Sequence, residues 1–162
     1  MAITQEDIYN ILSTVTDPEI PVLTILDLGI VREVKILDTD SVSVVITPTY
    51  SGCPAMDVIA MNIRFALSSL GIRRVEIVHK ISPAWTTDWM SDIGKSKLKT
   101  YGIAPPQRMS ANPLTLFEKE TATCPRCGAE NTQQISQFGA TSCKALYKCL
   151  SCQEPFEYFK CH

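Results

Sequence analysis

The chain has 162 residues, of which 45% are hydrophobic and 20% charged, and its formal net charge at pH 7 is −2. These values are typical of a soluble globular protein, and they exclude a polyelectrolyte that binds nucleic acid or a membrane through charge alone. The first ten residues, MAITQEDIYN, lack the basic and apolar regions of a secretory signal, and no apolar run approaches the roughly 20 residues of a membrane span. We therefore expect a cytoplasmic protein whose thiols stay reduced.

The pattern of apolar residues predicts the order helix, strand, strand, helix, strand, helix over about the first 100 residues. Thr4 and Asp7 form a capping-box pattern at the start of the first helix. VREVKI and SVSVVIT alternate like the two strands of a β-hairpin. The second helix follows Pro54 and ends near Gly71, VEIVHKI forms a third strand, and the last helix ends at Gly102. This order predicts a small α+β (α/β) domain with one helix layer and one sheet layer.

Two C-x-x-C pairs, Cys124 with Cys127 and Cys149 with Cys152, lie in the C-terminal part with 21 residues between them. Each pair can supply two corners of a tetrahedron, so the spacing predicts a zinc ribbon with four cysteine ligands. Such a site is closed and therefore structural, although tetrahedral sulfur also suits iron. TQQISQFG and KALYKC are predicted to form a hairpin between the pairs. A redox role is disfavoured, because the surrounding pattern is not βαβ.

Composition divides the chain into a helix/sheet domain at 1–103, a proline-rich linker at 104–120 and a zinc ribbon at 121–162. Cys143, Cys161 and His162 in the ribbon have several interpretations. Any of them could replace a knuckle ligand, or Cys143 and Cys161 could form a second site. They could also simply fill a small module that has little core of its own.

A single cysteine, Cys53, lies in TPTYSGCPAMD, where the second strand gives way to the second helix. With Pro54 at the first helical position, Cys53 becomes the N-cap, where the helix dipole favours a thiolate. That thiolate could ligate a metal or cluster or act as a nucleophile, and an inert buried thiol is the alternative. A nucleophile would need a histidine base, but His79 shares a strand face with Ile77 and is predicted to lie in the core.

Two further pairs of residues are open to more than one interpretation. Asp17 and Glu19 could act as a carboxylate pair, but Asp-Pro-Glu is also a common turn sequence. Trp85 and Trp89 could pack the domain or present a docking surface.

The first part of the chain resembles the iron–sulfur cluster assembly domain that also occurs in SufT-like proteins. The resemblance lies in three stretches, DPEIPVLTILDLGIV, TPTYSGCPAMD and SPAWTTDWMS. The cysteine-rich stretch that follows is similar to that of the PaaD (PaaJ) family of the phenylacetyl-CoA epoxidase system. In the cluster assembly family, the acidic pair, the threonines and the cysteine line one pocket. The residues of this chain at those positions are Asp17, Glu19, Thr47, Thr49 and Cys53.

The resemblance implies an accessory factor of aerobic phenylacetate catabolism rather than an enzyme. Such a factor would support the assembly or delivery of iron–sulfur clusters to the reductase and oxygenase components of the epoxidase, which are its expected partners. Because clusters normally take four cysteines or close substitutes, Cys53 would share a transient cluster with a partner or with a second subunit of a homodimer. Neither nucleic acid nor a membrane is an expected partner.

Three other functions remain open. The chain could be a structural docking subunit of the oxygenase complex in which Cys53 is inert. It could be a thiol enzyme acting on a CoA thioester, although it has only two histidines and no glycine-rich phosphate loop. A nucleic-acid-binding ribbon is the last alternative.

Overall fold

The first helix, α1 (Gln5–Leu12), begins at the predicted capping box. The Thr4 hydroxyl accepts a hydrogen bond from the Asp7 backbone N–H at 3.2 Å, and Asp7 Oδ2 accepts one from the Thr4 backbone N–H at 2.9 Å. These bonds satisfy two N–H groups that a helix start leaves without partners. Ile8 and Leu12, four residues apart, are buried and fix the inward face of the helix.

A three-stranded sheet follows, with β1 (Val31–Asp38), β2 (Ser41–Ile46) and β3 (Arg74–His79) in the order β1-β2-β3. β1 and β2 form the predicted antiparallel hairpin, whereas β2 and β3 are parallel. The parallel pair needs a crossover connection, which is α2 (Ala55–Ser68). The carboxyl ends of β2 and β3 therefore lie at the same edge of the sheet.

The core of this part of the chain lies between the sheet and the two helices. α1 packs against α2 and β1, and α2 packs against β3. Alternate β2 residues Val42, Val44 and Ile46 are at most 1% exposed. The buried side chains of α2 recur every three or four residues, as the sequence pattern predicts: Ala55, Met56, Ile59, Ala60, Ile63 and Leu67.

This computed structural model describes residues 3–107 and 121–160. The chain divides into two compact units, residues 1–94 and 95–162. After β3 the chain forms a short 3₁₀ helix (Thr87–Trp89) and the helix α3 (Asp92–Tyr101). Residues 108–120 of the predicted linker lie outside the described residues, and the predicted domain boundaries stay predictions.

The second unit contains a four-stranded sheet in the order β4-β7-β6-β5. Its strands are β4 (Ile103–Ala104), β5 (Thr132–Ser136), β6 (Lys144–Cys149) and β7 (Pro155–Phe159). β4 is parallel to β7, and the other neighbours are antiparallel. Tyr147 lies at the centre of the small core, with its ring centroid 5.9 Å from that of Phe156 and 5.5 Å from that of Tyr158.

The predicted fold class is confirmed, but the prediction missed two strands. The β5–β6 hairpin was predicted, whereas β4 and β7 were not. β7 has an alternating pattern in which Phe156 and Tyr158 are buried, but four or five residues give a weak signal. β4 has only two residues and forms because β7 offers it a partner. Among the described residues, no helix has both the length and the apolar character needed to cross a membrane.

Two local predictions are wrong. The N-cap of α2 is Pro54 rather than Cys53, because the backbone N–H of Cys53 closes a turn onto the Tyr50 carbonyl at 3.3 Å and the fixed φ of proline already suits a helix. His79 is exposed rather than part of the core. It is the last residue of the edge strand β3, where the covering helices no longer bury the side chains.

Candidate functional site

The sulfur atoms of Cys124, Cys127, Cys149 and Cys152 all lie within 4.8 Å of one another. Cys124 Sγ is 3.8 Å from Cys152 Sγ, and Cys127 Sγ is 3.5 Å from Cys149 Sγ. A tetrahedral metal with Zn–S bonds of about 2.3 Å places its sulfur ligands roughly 3.8 Å apart. The four cysteines therefore fit one tetrahedral, sulfur-preferring metal ion, as the C-x-x-C spacing predicts.

The first cysteine pair lies in the turn before β5, which closes back on itself. The Gly128 backbone N–H donates to the Cys124 carbonyl at 2.9 Å, and the Cys124 N–H donates to the Ala129 carbonyl at 2.9 Å. Gly128 has φ +75°, a conformation that L side chains rarely adopt. The turn thus brings both sulfurs to one side of the backbone.

The second pair lies in the turn between β6 and β7. The Cys149 N–H donates to the Glu154 carbonyl at 2.9 Å and closes this turn. Gln153 adopts φ +65°, and its side-chain amide donates to the Leu150 carbonyl at 2.8 Å. That hydrogen bond offsets part of the cost of a left-handed conformation at a residue other than glycine.

Backbone N–H groups change the pKa values of the thiols in the four-cysteine group. Donation from the backbone N–H groups of Cys152 and Ser151 lowers the pKa of Cys149 to about 6. The Glu154 N–H acts in the same direction on Cys152, but burial and the neighbouring sulfurs outweigh it and raise the pKa of Cys152 to about 12. The turns therefore stabilise a thiolate at Cys149, but each additional thiolate is repelled by its neighbours. A bound dication would offset this repulsion.

Cys53 lies half-buried in the turn that leads from β2 into α2. Burial raises the pKa of its thiol above the ordinary value, and this effect outweighs hydrogen bonds from the Ala55 backbone N–H and the Tyr50 side chain, which lower it. The charges of Glu19 and Asp17 also raise it. The predicted preference for a thiolate is therefore wrong for the isolated chain, because one helix N–H does not compensate for burial beside two carboxylates.

The structure brings Asp17 and Glu19 into electrostatic range of Cys53. Asp17 is 8% exposed, and its Oδ1 accepts hydrogen bonds from the backbone N–H groups of Glu19 at 2.7 Å and Ile20 at 2.8 Å. Asp17 therefore orders a turn, as the Asp-Pro-Glu sequence suggests, while the assignment of Asp17 and Glu19 as a carboxylate pair stays a prediction.

The two predicted threonines lie on the segment between β2 and Cys53. Thr47 is 1% exposed, and its backbone N–H donates to the Ile30 carbonyl at 2.8 Å. Thr49 is half-buried. Their assignment to a pocket with Cys53 stays a prediction.

Asp27, which was not among the predicted site residues, anchors the loop that carries Asp17. Its Oδ2 accepts from the Thr24 backbone N–H at 3.1 Å, and its Oδ1 accepts from the Ser91 hydroxyl at 3.0 Å. Trp85 is 4% exposed, and its indole N–H donates to the Leu28 carbonyl at 2.8 Å. Thr24 and Asp27 repeat the spacing of the capping box at α1, so the same pattern search could have found this anchor.

The remaining cysteines and aromatic residues have other environments. Cys143 is 3% exposed, does not belong to the four-cysteine group, and has its sulfur 3.1 Å from the Thr141 hydroxyl. Cys161 and His162 lie outside the described residues. The guanidinium carbon of Arg32 lies 3.6 Å from the ring centroid of Trp89, so this tryptophan, like Trp85, packs within the first unit.

Comparison with known proteins identifies both parts of the chain. The family model for the iron-sulfur cluster assembly protein matches residues 5–79, and the model for the PaaD zinc beta ribbon domain matches residues 109–160. The class is therefore a cluster assembly domain joined to a zinc ribbon.

A protein of Escherichia coli K12, named as a putative subunit of 1,2-phenylacetyl-CoA epoxidase, is 48% identical over 155 residues, which are 96% of this chain and 92% of that protein. The chain accordingly belongs to the PaaD family.

Other relatives match the first part of the chain. An "Fe-S protein maturation auxiliary factor" of Porphyromonas gingivalis is 40% identical over 90 residues, covering 55% of this chain and 85% of that protein. The crystal structure of a domain of unknown function from Bacillus anthracis has a TM-score of 0.54 and 27% identity, covering 58% of this chain and 90% of that one. A conserved hypothetical protein of Thermotoga maritima has a TM-score of 0.51 and 31% identity, covering 60% and 95%.

Proposed function

We propose that this chain is an accessory factor of the phenylacetyl-CoA epoxidase system in aerobic phenylacetate catabolism, and that it supports the assembly or delivery of iron–sulfur clusters to the epoxidase components. The names of the relatives from E. coli and P. gingivalis support an accessory role related to iron–sulfur proteins. The observation that carries the proposal is the half-buried thiol of Cys53 beside the carboxylates of Asp17 and Glu19. Cysteine thiolate is the ligand that iron–sulfur clusters take in proteins.

In this proposal Cys53 is the transient ligand. One thiol cannot hold a cluster alone, so the remaining ligands come from the receiving protein or from a second copy of the chain. The raised pKa of the Cys53 thiol keeps it protonated until a metal displaces the proton. Asp17 already uses Oδ1 to order its loop, and we assign it the positioning of Glu19 near the sulfur.

We infer that the four-cysteine group holds zinc as a structural ion. Cys124, Cys127, Cys149 and Cys152 would occupy all four tetrahedral positions, which leaves none for a substrate. Zinc supplies no redox chemistry, and its contribution would be to fix the two turns around a small core. Iron in the same four positions is the alternative. A cytoplasmic location and a homodimer stay predictions.

The proposal is tested by producing the epoxidase reductase component in cells that also contain the wild-type chain, Cys53→Ser or Cys143→Ser. Cys143→Ser is the matched control, because it makes the same chemical change at a buried cysteine outside both sites. We expect Cys53→Ser to lower the [2Fe–2S] occupancy of the purified reductase at least about threefold, while Cys143→Ser leaves it unchanged. Equal occupancy with all three chains would refute the cluster role.

A structural docking subunit is the second candidate, and the name of the E. coli relative as a putative subunit of the epoxidase favours it. This candidate predicts stoichiometric co-purification with the oxygenase, and the same yield of complex with Cys53→Ser. Loss of cluster occupancy without loss of complex would exclude it.

A further inference from the structure

The two units of the chain carry opposite net charge. Residues 1–94 contain twelve acidic and six basic side chains, whereas residues 95–162 contain five acidic and nine basic ones. The part of α3 that belongs to the second unit contributes Lys95, Lys97 and Lys99 and no acidic residue. An excess of positive charge attracts and orients an anionic partner.

A cavity of about 380 Å³ lies in the second unit beside the metal-binding turns. One wall is formed by the end of α3 and the residue after it, through Lys99, Thr100 and Gly102. The other lining residues come from the two cysteine turns and the start of β7: Cys124, Pro125, Arg126, Glu154, Pro155 and Phe156. Cavities of about 300–1,000 Å³ are large enough to hold a small ligand or a few side chains of a peptide.

The cavity combines an apolar surface with positively charged groups. Its apolar lining includes Pro125, Pro155 and Phe156. Arg126 is paired with Glu154 at 2.9 Å, and both side chains are largely exposed, so this ion pair contributes little stability and can exchange partners. Within the described part of the chain, no ion pair engages Lys99.

We propose that this cavity binds an extended segment of a partner protein in which a carboxylate side chain stands next to an apolar one. The apolar side chain would lie against the two prolines of the lining, Pro125 and Pro155. Its neighbouring carboxylate would pair with Lys99, and a second carboxylate could compete with Glu154 for Arg126. This proposal does not depend on Cys53, so its test is independent of the test of the cluster role.

The lining favours a peptide over a nucleic acid. The lining cations are Lys99 and Arg126, and Arg126 is already paired with Glu154, so the cavity can match one or two carboxylates but not the run of charges on a phosphate backbone. Recognition of single strands rests on a basic groove with exposed aromatic platforms, whereas the aromatic ring of this cavity belongs to Phe156, which is only 7% exposed. The prolines of the lining suit an aliphatic or aromatic side chain.

The test is an NMR titration of the ¹⁵N-labelled, zinc-loaded full chain with a blocked peptide, acetyl-Gly-Glu-Leu-Glu-Phe-Gly-amide. Three further probes serve as comparisons. One peptide has lysines in place of the glutamates, a second has glycines in place of Leu and Phe, and the third probe is a hexathymidine oligonucleotide. We expect the first peptide to shift the amide signals of Lys99, Gly102, Arg126 and Phe156, and the other three to shift them at least about tenfold less.

Charge reversal at one residue provides the matched comparison. Lys99→Glu is expected to weaken binding of the first peptide at least about tenfold, because it replaces an attraction by a repulsion. Lys148→Glu changes the net charge of the unit equally but lies outside the cavity lining, and should change the affinity less than twofold. No binding of the peptide, equal effects of the two variants, or stronger binding of the oligonucleotide at the same amides would overturn the proposal.

Discussion

At the scale of single residues, Cys53 shows how local chemistry and burial compete. The start of α2 offers its sulfur a hydrogen bond from Ala55, as the sequence led us to expect, but burial and two carboxylates raise the pKa of the thiol instead. The sequence identified the cysteine and its helix. It could not show that Asp17 and Glu19, more than 30 positions earlier, would act on the same sulfur, because that proximity depends on tertiary folding.

Alkylation rates test the electrostatics around Cys53. Glu19→Gln removes a negative charge that raises the pKa of the thiol, so the pKa should fall and more thiolate should be present at pH 7.5. We expect iodoacetamide to modify Cys53 about threefold faster in this variant, as measured by mass spectrometry of the Cys53 peptide. The exposed β3 residue Glu76 provides the control, and a rate raised equally by Glu76→Gln would contradict this account.

Asp27 is a second residue whose role only the structure reveals. Asp27→Ala removes the acceptors for the Thr24 backbone N–H and the Ser91 hydroxyl. Because these donors are partly buried, we expect a loss of about 1–3 kcal/mol in the free energy of unfolding. Urea denaturation followed by tryptophan fluorescence measures it, with the exposed Asp88→Ala as control. A loss below about 0.5 kcal/mol would show that Asp27 does not anchor the loop.

At the scale of elements, the sequence predicted those with a long periodic signal and missed those that depend on a neighbour. α2 has six buried residues at helical spacing, and the β1–β2 hairpin alternates over both strands, so both were predictable. β4 exists only because it pairs with β7. The start of α2 was misplaced by one residue: the Cys53 N–H closes a turn onto the Tyr50 carbonyl, while the Cys53 carbonyl accepts from the Met56 N–H, so the turn runs directly into the helix.

Glycine substitutions test how closely the loops before β1 and around Trp89 approach each other. Gly29 and Gly71 both have positive φ, +69° and +80°, but a Cβ at Gly29 would collide with the Trp89 carbonyl oxygen, whereas Gly71 faces open space. Gly71→Ala should therefore cost about 1–2 kcal/mol, from backbone strain alone.

Gly29→Ala should cost at least about 3 kcal/mol, since overpacking adds to the same strain. Chemical denaturation of both variants measures the difference. Equal losses would mean that the two loops can separate without cost.

At the scale of the whole molecule, the two units have separate cores. The core of the first unit lies between its helices and the β1-β2-β3 sheet, whereas the second surrounds Tyr147 next to the cysteine turns. The C-x-x-C spacing predicted the four cysteines that the structure brings together, because each pair is local to one turn, whereas the meeting of the two turns depends on the sheet. The charge difference between residues 1–94 and 95–162 was not predicted, because it depends on a division of the chain within α3 that only the structure shows.

Removal of the metal tests whether the units are stable separately. Both tryptophans, Trp85 and Trp89, lie in the first unit, so tryptophan fluorescence reports on that unit alone. Treatment with a strong zinc chelator should leave its emission unchanged, because the first core contains none of the metal ligands. The same treatment should make residues 121–160 susceptible to protease, because a small module depends on its metal. A change in tryptophan emission on chelation, or a ribbon that stays protease-resistant without metal, would contradict the claim that the two units are stable separately.

The central claim is that the chain has two chemically distinct sites, a closed four-cysteine site and an open one at Cys53. It is tested most directly by anaerobic iron, sulfide and zinc analysis of the wild-type chain and the Cys53→Ser and Cys143→Ser variants. We predict one zinc per chain in all three, with iron and sulfide shared between the Cys53 residues of two copies of the chain in the wild type and in Cys143→Ser but lost in Cys53→Ser. Equal iron and sulfide contents in Cys53→Ser and the wild type, or their absence from every chain, would contradict this claim.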